Sequence, residues 1–332
     1  MSIATNADSK VSFVAGGAGF IGISLVKRLI ARGDLVFIAD NFSLGSRRLF
    51  EKTFIDTDIT ITEADLSVAA DVSRSFNSIV EKAFKIDEVW HLAANSDIPS
   101  GVSDPSVDLK DTFLTTYEIL KACKNHSVPK FNFASSSAVY GDWGGQPLIE
   151  TMGPLRPISN YGAMKLASEA QICSAKESFL KYANIFRFPN VVGSPATHGV
   201  ILDFIKKLKE CPHQLQILGD GSQRKSYIHV TELINAMLFI SDLEVDDLQP
   251  MIVNIGCDDE GVTVRTIAEL VANRCSPKAE LVFGEEGRGW IGDVPRFRYD
   301  TSQLKNFGWS PEMSSLEAIK KAVNEIALQK SI

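Results

Sequence analysis

Apolar residues arrive along this chain in short blocks, and the blocks alternate between two spacings. Val11-Ser12-Phe13-Val14-Ala15 is an almost continuous apolar run, which predicts a buried strand. Residues 21–31 then place apolar side chains three and four apart, which predicts an amphipathic helix with Gly33 as its stop. Residues 35–39 predict a second strand ended by Asp40, residues 59–62 a third, and residues 88–94 a fourth that runs out into small residues. A helix over 105–125 leads to a fifth strand at 130–134, and residues 184–188 form a sixth. Strands alternating with helices in this way argue an α/β fold built on a doubly wound parallel sheet.

Beyond residue 189 the pattern loosens. It predicts a helix at 200–208, a short strand at 216–218, a helix at 231–239 and a strand at 251–255. A helix at 263–273, a short strand at 281–283 and a last helix at 314–327 follow, the last reading as packing alone. The expected division is a first domain of residues 1–188 plus about 226–256. A smaller C-terminal α/β domain takes about 189–225 plus 257–332.

Composition narrows the class. The chain has 332 residues, of which 45% are hydrophobic, which suits one large or two intimately joined globular domains. The net charge of −7 supplies no basic field for nucleic acid or an anionic membrane. No run approaches the ~18 apolar residues of a membrane span. Residues 1–10 are polar and lack the apolar core of a signal peptide. The five cysteines are widely spaced, which suits reduced thiols in the cytoplasm and predicts no metal site.

Candidate chemistry sits where the blocks end. Gly16, Gly19 and Gly22 lie between the first strand and the first helix, leaving room for a pyrophosphate against the helix N-terminus. Asp40 ends the second strand, where a carboxylate accepts both ribose hydroxyls of adenosine and favours NAD over NADP. Asp65 and Leu66 follow the third strand, at the expected adenine edge. His91 reads as a packed histidine beneath the cofactor rather than as a base. The fifth strand runs into Ser135, Ser136 and Ser137, whose hydroxyls can donate to a substrate oxygen. Tyr161 and Lys165 are four apart and stack on one face of a helix. A phenol that titrates near pH ~10 needs a neighbouring cation to act as a base at neutral pH.

Together these residues resemble the extended short-chain dehydrogenase/reductase superfamily, and within it the nucleotide-sugar epimerase/dehydratase family. The resemblance runs from about Val11 to Trp309. It rests on residues 16–22, Asp40, Asp65-Leu66, residues 91–94, 136–141, 161–165, 187–193, 219–221 and His229-Val230. It implies a Rossmann-type domain with tightly bound NAD and a smaller domain for a nucleoside diphosphate sugar. By the resemblance, Ser136, Tyr161 and Lys165 form the catalytic group. NAD is expected to meet Gly16, Gly19, Phe20, Ile21, Gly22, Asp40 and Asn41 on the first two strands. Further along it is expected to meet Asp65, Leu66, Leu92, Ala93, Ala94, Thr112, Ser135, Tyr161 and Lys165. Relatives often place an Asn where this chain has Thr112.

The two positions after Ser136 separate the reactions of the family. Dehydratases that resemble this chain carry Asp-Glu there and decarboxylases keep the Glu, whereas this chain has Ser137 and Ala138. The resemblance therefore implies an epimerase, most plausibly acting at C4 of a UDP-sugar through a 4-keto intermediate. The alternatives are a nucleotide-sugar oxidoreductase, a dehydratase or decarboxylase, and a non-catalytic cofactor-binding protein. The substrate is expected to meet Ser136, Ser137, Asn190, Val200, Leu218, Arg224, Lys225, Arg288 and Asp293. Here the chain departs from its relatives, with Lys225-Ser226 in place of Arg-Asp and Trp290 in place of an Arg. Phe113, Leu114, Ile119 and Leu120 flank a helix that in the family often pairs with its copy, which implies a homodimer.

Overall fold

The computed structural model describes residues 9–57, 59–245, 248–285, 292 and 294–329. By packing, the chain forms two compact units. The first holds residues 1–135, 164–185 and 240–252, and the second holds residues 136–163, 186–239 and 253–332. This is a division by packing, distinct from the division by ligand drawn above.

The first unit is organised on the sheet. Strands β1 (Val11–Ala15), β2 (Leu35–Asp40), β3 (Thr60–Glu63), β4 (Glu88–His91) and β5 (Lys130–Ala134) stand in the spatial order 5-4-1-2-3. Tyr182–Arg187 and then Met251–Asn254 extend it past β5 to seven strands. The pairs β1–β2, β1–β4, β2–β3 and β4–β5 are parallel. Every residue of β1, β4 and β5 is buried, including the polar Ser12, Glu88, His91, Lys130 and Asn132. Phe13, Phe76, Val89, Ile119, Phe131 and Ile185 share the core, each worth about 1.5–3 kcal/mol of burial.

The strand order reverses at β1, which has β2 on one side and β4 on the other. In a doubly wound sheet, ligands bind beyond the carboxyl ends of the strands at such a point. The opposite, amino ends are tied by a buried charge cluster. Ser12 donates to Asp34 at 2.7 Å and to Glu88 at 2.9 Å, Trp90 Nε1 donates to Glu88 at 2.8 Å, and Arg32 pairs with both acids. Burial opposes the Arg32 charge, yet Asp34 and Glu88 raise its pKa above the ordinary arginine value.

The elements follow the pattern closely, and the differences have local causes. Helix α1 (Phe20–Arg32) ends at Gly33, with φ +95. The fourth strand stops at His91 instead of Ala94. The Leu92 and Ala93 amides both turn onto the Ala15 carbonyl at 2.9 Å, so the chain curls across the end of β1. The loop expected after it contains a short helix, Ile98–Ser103. The helix expected over 105–125 is interrupted by a π-helical stretch, Leu109–Leu114, between Pro105–Asp108 and Thr115–Asn125. There the Thr112 carbonyl accepts hydroxyls from both Thr115 and Thr116 at 3.1 Å, which loosens the regular ladder.

Among its described residues the second unit has no large sheet. It is built from two-strand pairs: Asn190–Val192 with Tyr227–His229, Gln214–Ile217 with Glu280–Phe283, Arg224–Lys225 with Val262–Thr263, and Pro147–Leu148 with Arg298–Tyr299. Its core joins the helices Val200–Glu210, Val264–Cys275 and Ser315–Gln329 through Ile201, Ile205, Ile267, Val271, Ile319 and Val323. Helix starts expected at 263 and 314 begin one residue later, because Thr263 and Ser314 serve as caps. Thr263 accepts from the Thr266 amide at 3.1 Å. Ser314 and Glu317 exchange side-chain bonds with each other's amides at 3.3 and 2.8 Å, a capping box.

Among the described residues no helix is long and apolar enough to cross a membrane. Ile119 and Leu120, expected beside a dimer helix, are buried in the subunit's own core, while Phe113 and Leu114 are half-buried.

Candidate active site

The glycine turn after β1 closes against the end of β4. A Cβ on Gly16, where φ is +83, would come within 2.6 Å of the Ala93 amide nitrogen. One on Gly22 would come within 2.2 Å of the Gly16 carbonyl oxygen. Both glycines are therefore required by the protein alone. Gly19 differs: a Cβ there would meet nothing closer than the Gly16 carbonyl at 3.5 Å. Gly19 caps α1 without a side chain, and no acid lies in the first turn of Phe20, Ile21 and Gly22. The result is a bare helix N-terminus with open space before it, which fits the pyrophosphate of NAD.

Asp40 is fixed at the end of β2 by two amides. Ala18 donates to Oδ2 at 2.9 Å and Phe42 to Oδ1 at 2.8 Å. Burial pushes its pKa up and the two amides oppose that. Each oxygen keeps a further lone pair, so the carboxylate fits a ribose diol. Asn41 spends its side-chain oxygen on the Ser43 amide at 3.0 Å. Asp65 accepts from Ser67 and pairs with Lys110 at 2.9 Å, while Leu66 is buried in the core. Leu92, Ala93 and Ala94 are half-buried beyond β4. Thr112 Oγ1 accepts from the Asn95 amide at 3.2 Å.

Lys165 lies on the helix Asn160–Ser178, only 1% exposed. Its ammonium donates to the Ala134 carbonyl at 2.6 Å and lies 4.6 Å from the centre of the Phe133 ring. Burial pulls its pKa down to about 7, against the charges of Glu169 and Asp108. His91 is buried beneath, its Nε2 2.9 Å from Thr116 Oγ1. The Thr116 hydroxyl donates to the Thr112 carbonyl, so His91 Nε2 is the protonated nitrogen of the pair. Burial, and then the Lys165 charge, hold this imidazole neutral. It is a packed histidine, as its place on the strand suggested.

Ser135 and Ser136 are neighbours with opposite commitments. Ser135 is buried and donates to Glu169 in a short hydrogen bond. Ser136 instead accepts, from the Ala138 amide at 3.2 Å, as the cap of the 3-10 turn Ser137–Val139. A hydroxyl that accepts in this way can still donate its own hydrogen. That turn is packed onto the helix of Tyr161: a Cβ on Gly162 would come within 2.4 Å of the Ala138 carbonyl oxygen. The structure thus brings the Ser136 turn against the residue after Tyr161. Tyr161 itself is half-buried. Ser137 is tied by its amide to the Phe188 carbonyl at 3.1 Å. The nearby Tyr140 is structural, bonded to Asn254 at 2.7 Å, and burial pushes its phenol up to about 12.

The residues expected at the substrate are spread over the edges of the second unit. Asn190 is exposed at the start of its strand, opposite Tyr227. Val200 opens its helix half-buried, and Leu218 lies just past the end of its strand, 62% exposed. Arg224 and Lys225 form a two-residue strand paired with Thr263 and Val262. Arg224 is exposed and Lys225 half-buried. Arg288 and Asp293 lie outside the described residues. Two buried acids were not anticipated, Glu169 and Asp108. For Glu169 the spacing was visible, since it repeats the four-residue step from Tyr161 to Lys165, but nothing in the letters marked its burial.

Comparison with known proteins places this geometry in context. A putative UDP-glucose 4-epimerase of Methanocaldococcus jannaschii is 29% identical over 94% of this chain and 96% of its own length. UDP-glucuronic acid decarboxylase 1 of Danio rerio is 25% identical over 95% of this chain and 72% of that protein. A crystal structure of a UDP-galactose 4-epimerase superposes with a TM-score of 0.82 at 32% identity, covering 97% of this chain and 99% of the other. The family profile for the "NAD dependent epimerase/dehydratase family" matches residues 12–256, and the glycine turn, Asp40 and the Ser136, Tyr161 and Lys165 positions all lie inside that span. By that match, and by the fold it shares with the solved epimerase, the chain belongs to the NAD-dependent epimerase/dehydratase family of enzymes.

Proposed function

We propose that the chain is a nucleotide-sugar 4-epimerase acting on a UDP-sugar. The observation that carries this reading is the turn at residues 136–138, docked on the Tyr161 helix. It offers one donor hydroxyl at Ser136 and no acid at the next two positions. Removing water or carbon dioxide from the sugar calls for further acid–base groups, whereas inverting a carbinol carbon needs one base and one donor. The curated relatives named as UDP-glucose 4-epimerases support the same choice. The decarboxylase relative keeps the lyase reading as the rival to test.

NAD would be held along Gly16–Gly22 and Asp40 and would supply a reversible hydride acceptor. Tyr161 takes the proton of the sugar 4-hydroxyl and later returns one. Lys165, one helical turn on, favours the phenolate by its charge and would help to hold the nicotinamide ribose. Ser136 donates to the same sugar oxygen and stabilises the charge that gathers there. In this reading the nucleotide-sugar contacts are Asn190, Val200, Leu218, Arg224 and Lys225.

The test is incubation of the purified protein with a panel of nucleotide sugars and no added NAD, followed by mass spectrometry and proton NMR. A product of unchanged mass with an inverted C4 proton coupling is expected. Loss of carbon dioxide or water would move the chain to a lyase, and turnover only with added NAD or NADH would make it a net oxidoreductase.

A further inference from the structure

Tyr161, Lys165 and Glu169 are spaced four and four along one helix, so they form a single stripe. The third member has no part in the reaction as derived above. It is nevertheless buried, at 3% exposure, and a carboxylate is rarely taken from water without a partner that repays the loss. Glu169 has a built partner in Ser135, the first residue after β5, which donates to its Oε1. The residue before Ser135 is Ala134, whose carbonyl receives the Lys165 ammonium. Successive residues at the end of one strand thus grip successive turns of one helix.

We propose that Glu169 is a positioning residue, clamped by Ser135, that keeps the Lys165 ammonium charged and aimed at the end of β5. This rests on the reading of Lys165 as the partner of Tyr161. The need for such a residue follows from the surroundings of the lysine. On β5 it meets the neutral carbonyl of Ala134 and the Phe133 ring. On β4, His91 is held neutral and contributes no negative charge. Asp108, at the end of Pro105–Asp108, is the second acid that acts on it. Asp108 Oδ1 accepts from Asn95 Nδ2 at 2.9 Å, while its Oδ2 has no hydrogen-bond partner. Burial alone drives the lysine toward neutrality, and the charge of Glu169 opposes it more strongly than that of Asp108. A neutral amine at this place would no longer favour the phenolate of Tyr161.

The experiment reads the lysine directly, without relying on turnover. Protein carrying lysine labelled with carbon-13 at Cε is titrated by NMR. The Lys165 resonance is assigned as the one missing from Lys165→Met. In Glu169→Gln its midpoint is expected to fall by about one pH unit, a tenfold loss in proton affinity, with Glu169→Asp restoring part of it. Ser135→Ala, which releases the clamp and keeps the charge, is expected to move it the same way by a smaller amount. Where Glu169→Gln does not fold, Ser135→Ala carries the test alone. An unmoved midpoint in the folded variants overturns the proposal. The basic limb of the kcat profile should shift with the NMR midpoint while KM for the sugar stays put. If Tyr161→Phe leaves turnover intact, the epimerase mechanism fails separately, and the NMR result still judges Glu169.

Discussion

The two units of this chain present their polar groups in opposite ways. In the first, the groups expected to meet NAD are backbone amides at strand and helix ends, together with a carboxylate already locked by two donors at Asp40. In the second, the expected contacts are side chains on short or exposed segments, such as Arg224 on a two-residue strand and Leu218 beyond the end of another. Backbone geometry tolerates little change, because a single Cβ at Gly16 collides with Ala93. A charge carried on a long side chain can be supplied from a neighbouring position at small cost. Substitution is therefore expected to be costly at the glycine turn and mild at positions such as Arg224 and Lys225.

The contrast can be broken most forcefully at Tyr161, which belongs to the second unit by packing yet is held by a backbone contact at Gly162. Tyr161→Phe should lower kcat on the order of 10³-fold in a coupled turnover assay with little change in KM. Gly16→Ala comes next. It should abolish NAD retention, read as loss of the nucleotide from purified protein, and lower the melting temperature as well. Arg32→Met tests the amino ends of the same strands, far from any ligand. It strands Asp34 and Glu88 without their cation and should cost about 3 kcal/mol in urea unfolding, with activity per folded molecule unchanged.

A smaller effect comes from Lys165. The unfolded lysine holds its proton to about pH 10.5, whereas the buried one releases it near 7. Between those values unfolding takes up a proton, so the cofactor-free protein should gain stability as pH rises from 7 to 10.5. Lys165→Met should lose that slope, a difference of several degrees in Tm across the window. The smallest change is expected in the second unit. Arg224→Ala and Lys225→Ala should each raise KM for the nucleotide sugar about 3- to 10-fold and leave kcat alone. A larger loss at either one would show that the diphosphate depends on a single cation after all.

What could be read from the chain follows the same line. β1 and β5 were legible to the residue, β1 because a strand buried on both faces is almost continuously apolar, and β5 because Phe131, Phe133 and Ala134 lie between a helix and a serine-rich turn. The glycine turn was legible because a missing side chain is visible in the letters. The curl at Leu92 and Ala93 was not, since two amides sharing one carbonyl leave no mark on composition. Strand pairs of two residues, such as Pro147–Leu148 with Arg298–Tyr299, are too short to show a period. At the candidate site, the spacing of Tyr161 and Lys165 announced itself. The burial of Glu169 did not, because a charged letter in a helix ordinarily marks the solvent face.

The π-helical stretch at Leu109–Leu114 has a consequence of its own. A wider turn of this kind houses one residue more than the regular spiral would, and each residue advances a helix by about 100°. The stretch therefore works as a phase shifter. Upstream of it, Asp108 is turned toward Asn95; downstream, Ile119 and Leu120 are turned into the core. Deleting one residue within it would straighten the spiral and set those two faces at odds, so that either the acid or the core would have to give up its partners. The length of this segment, to the single residue, carries information that no side chain in it does.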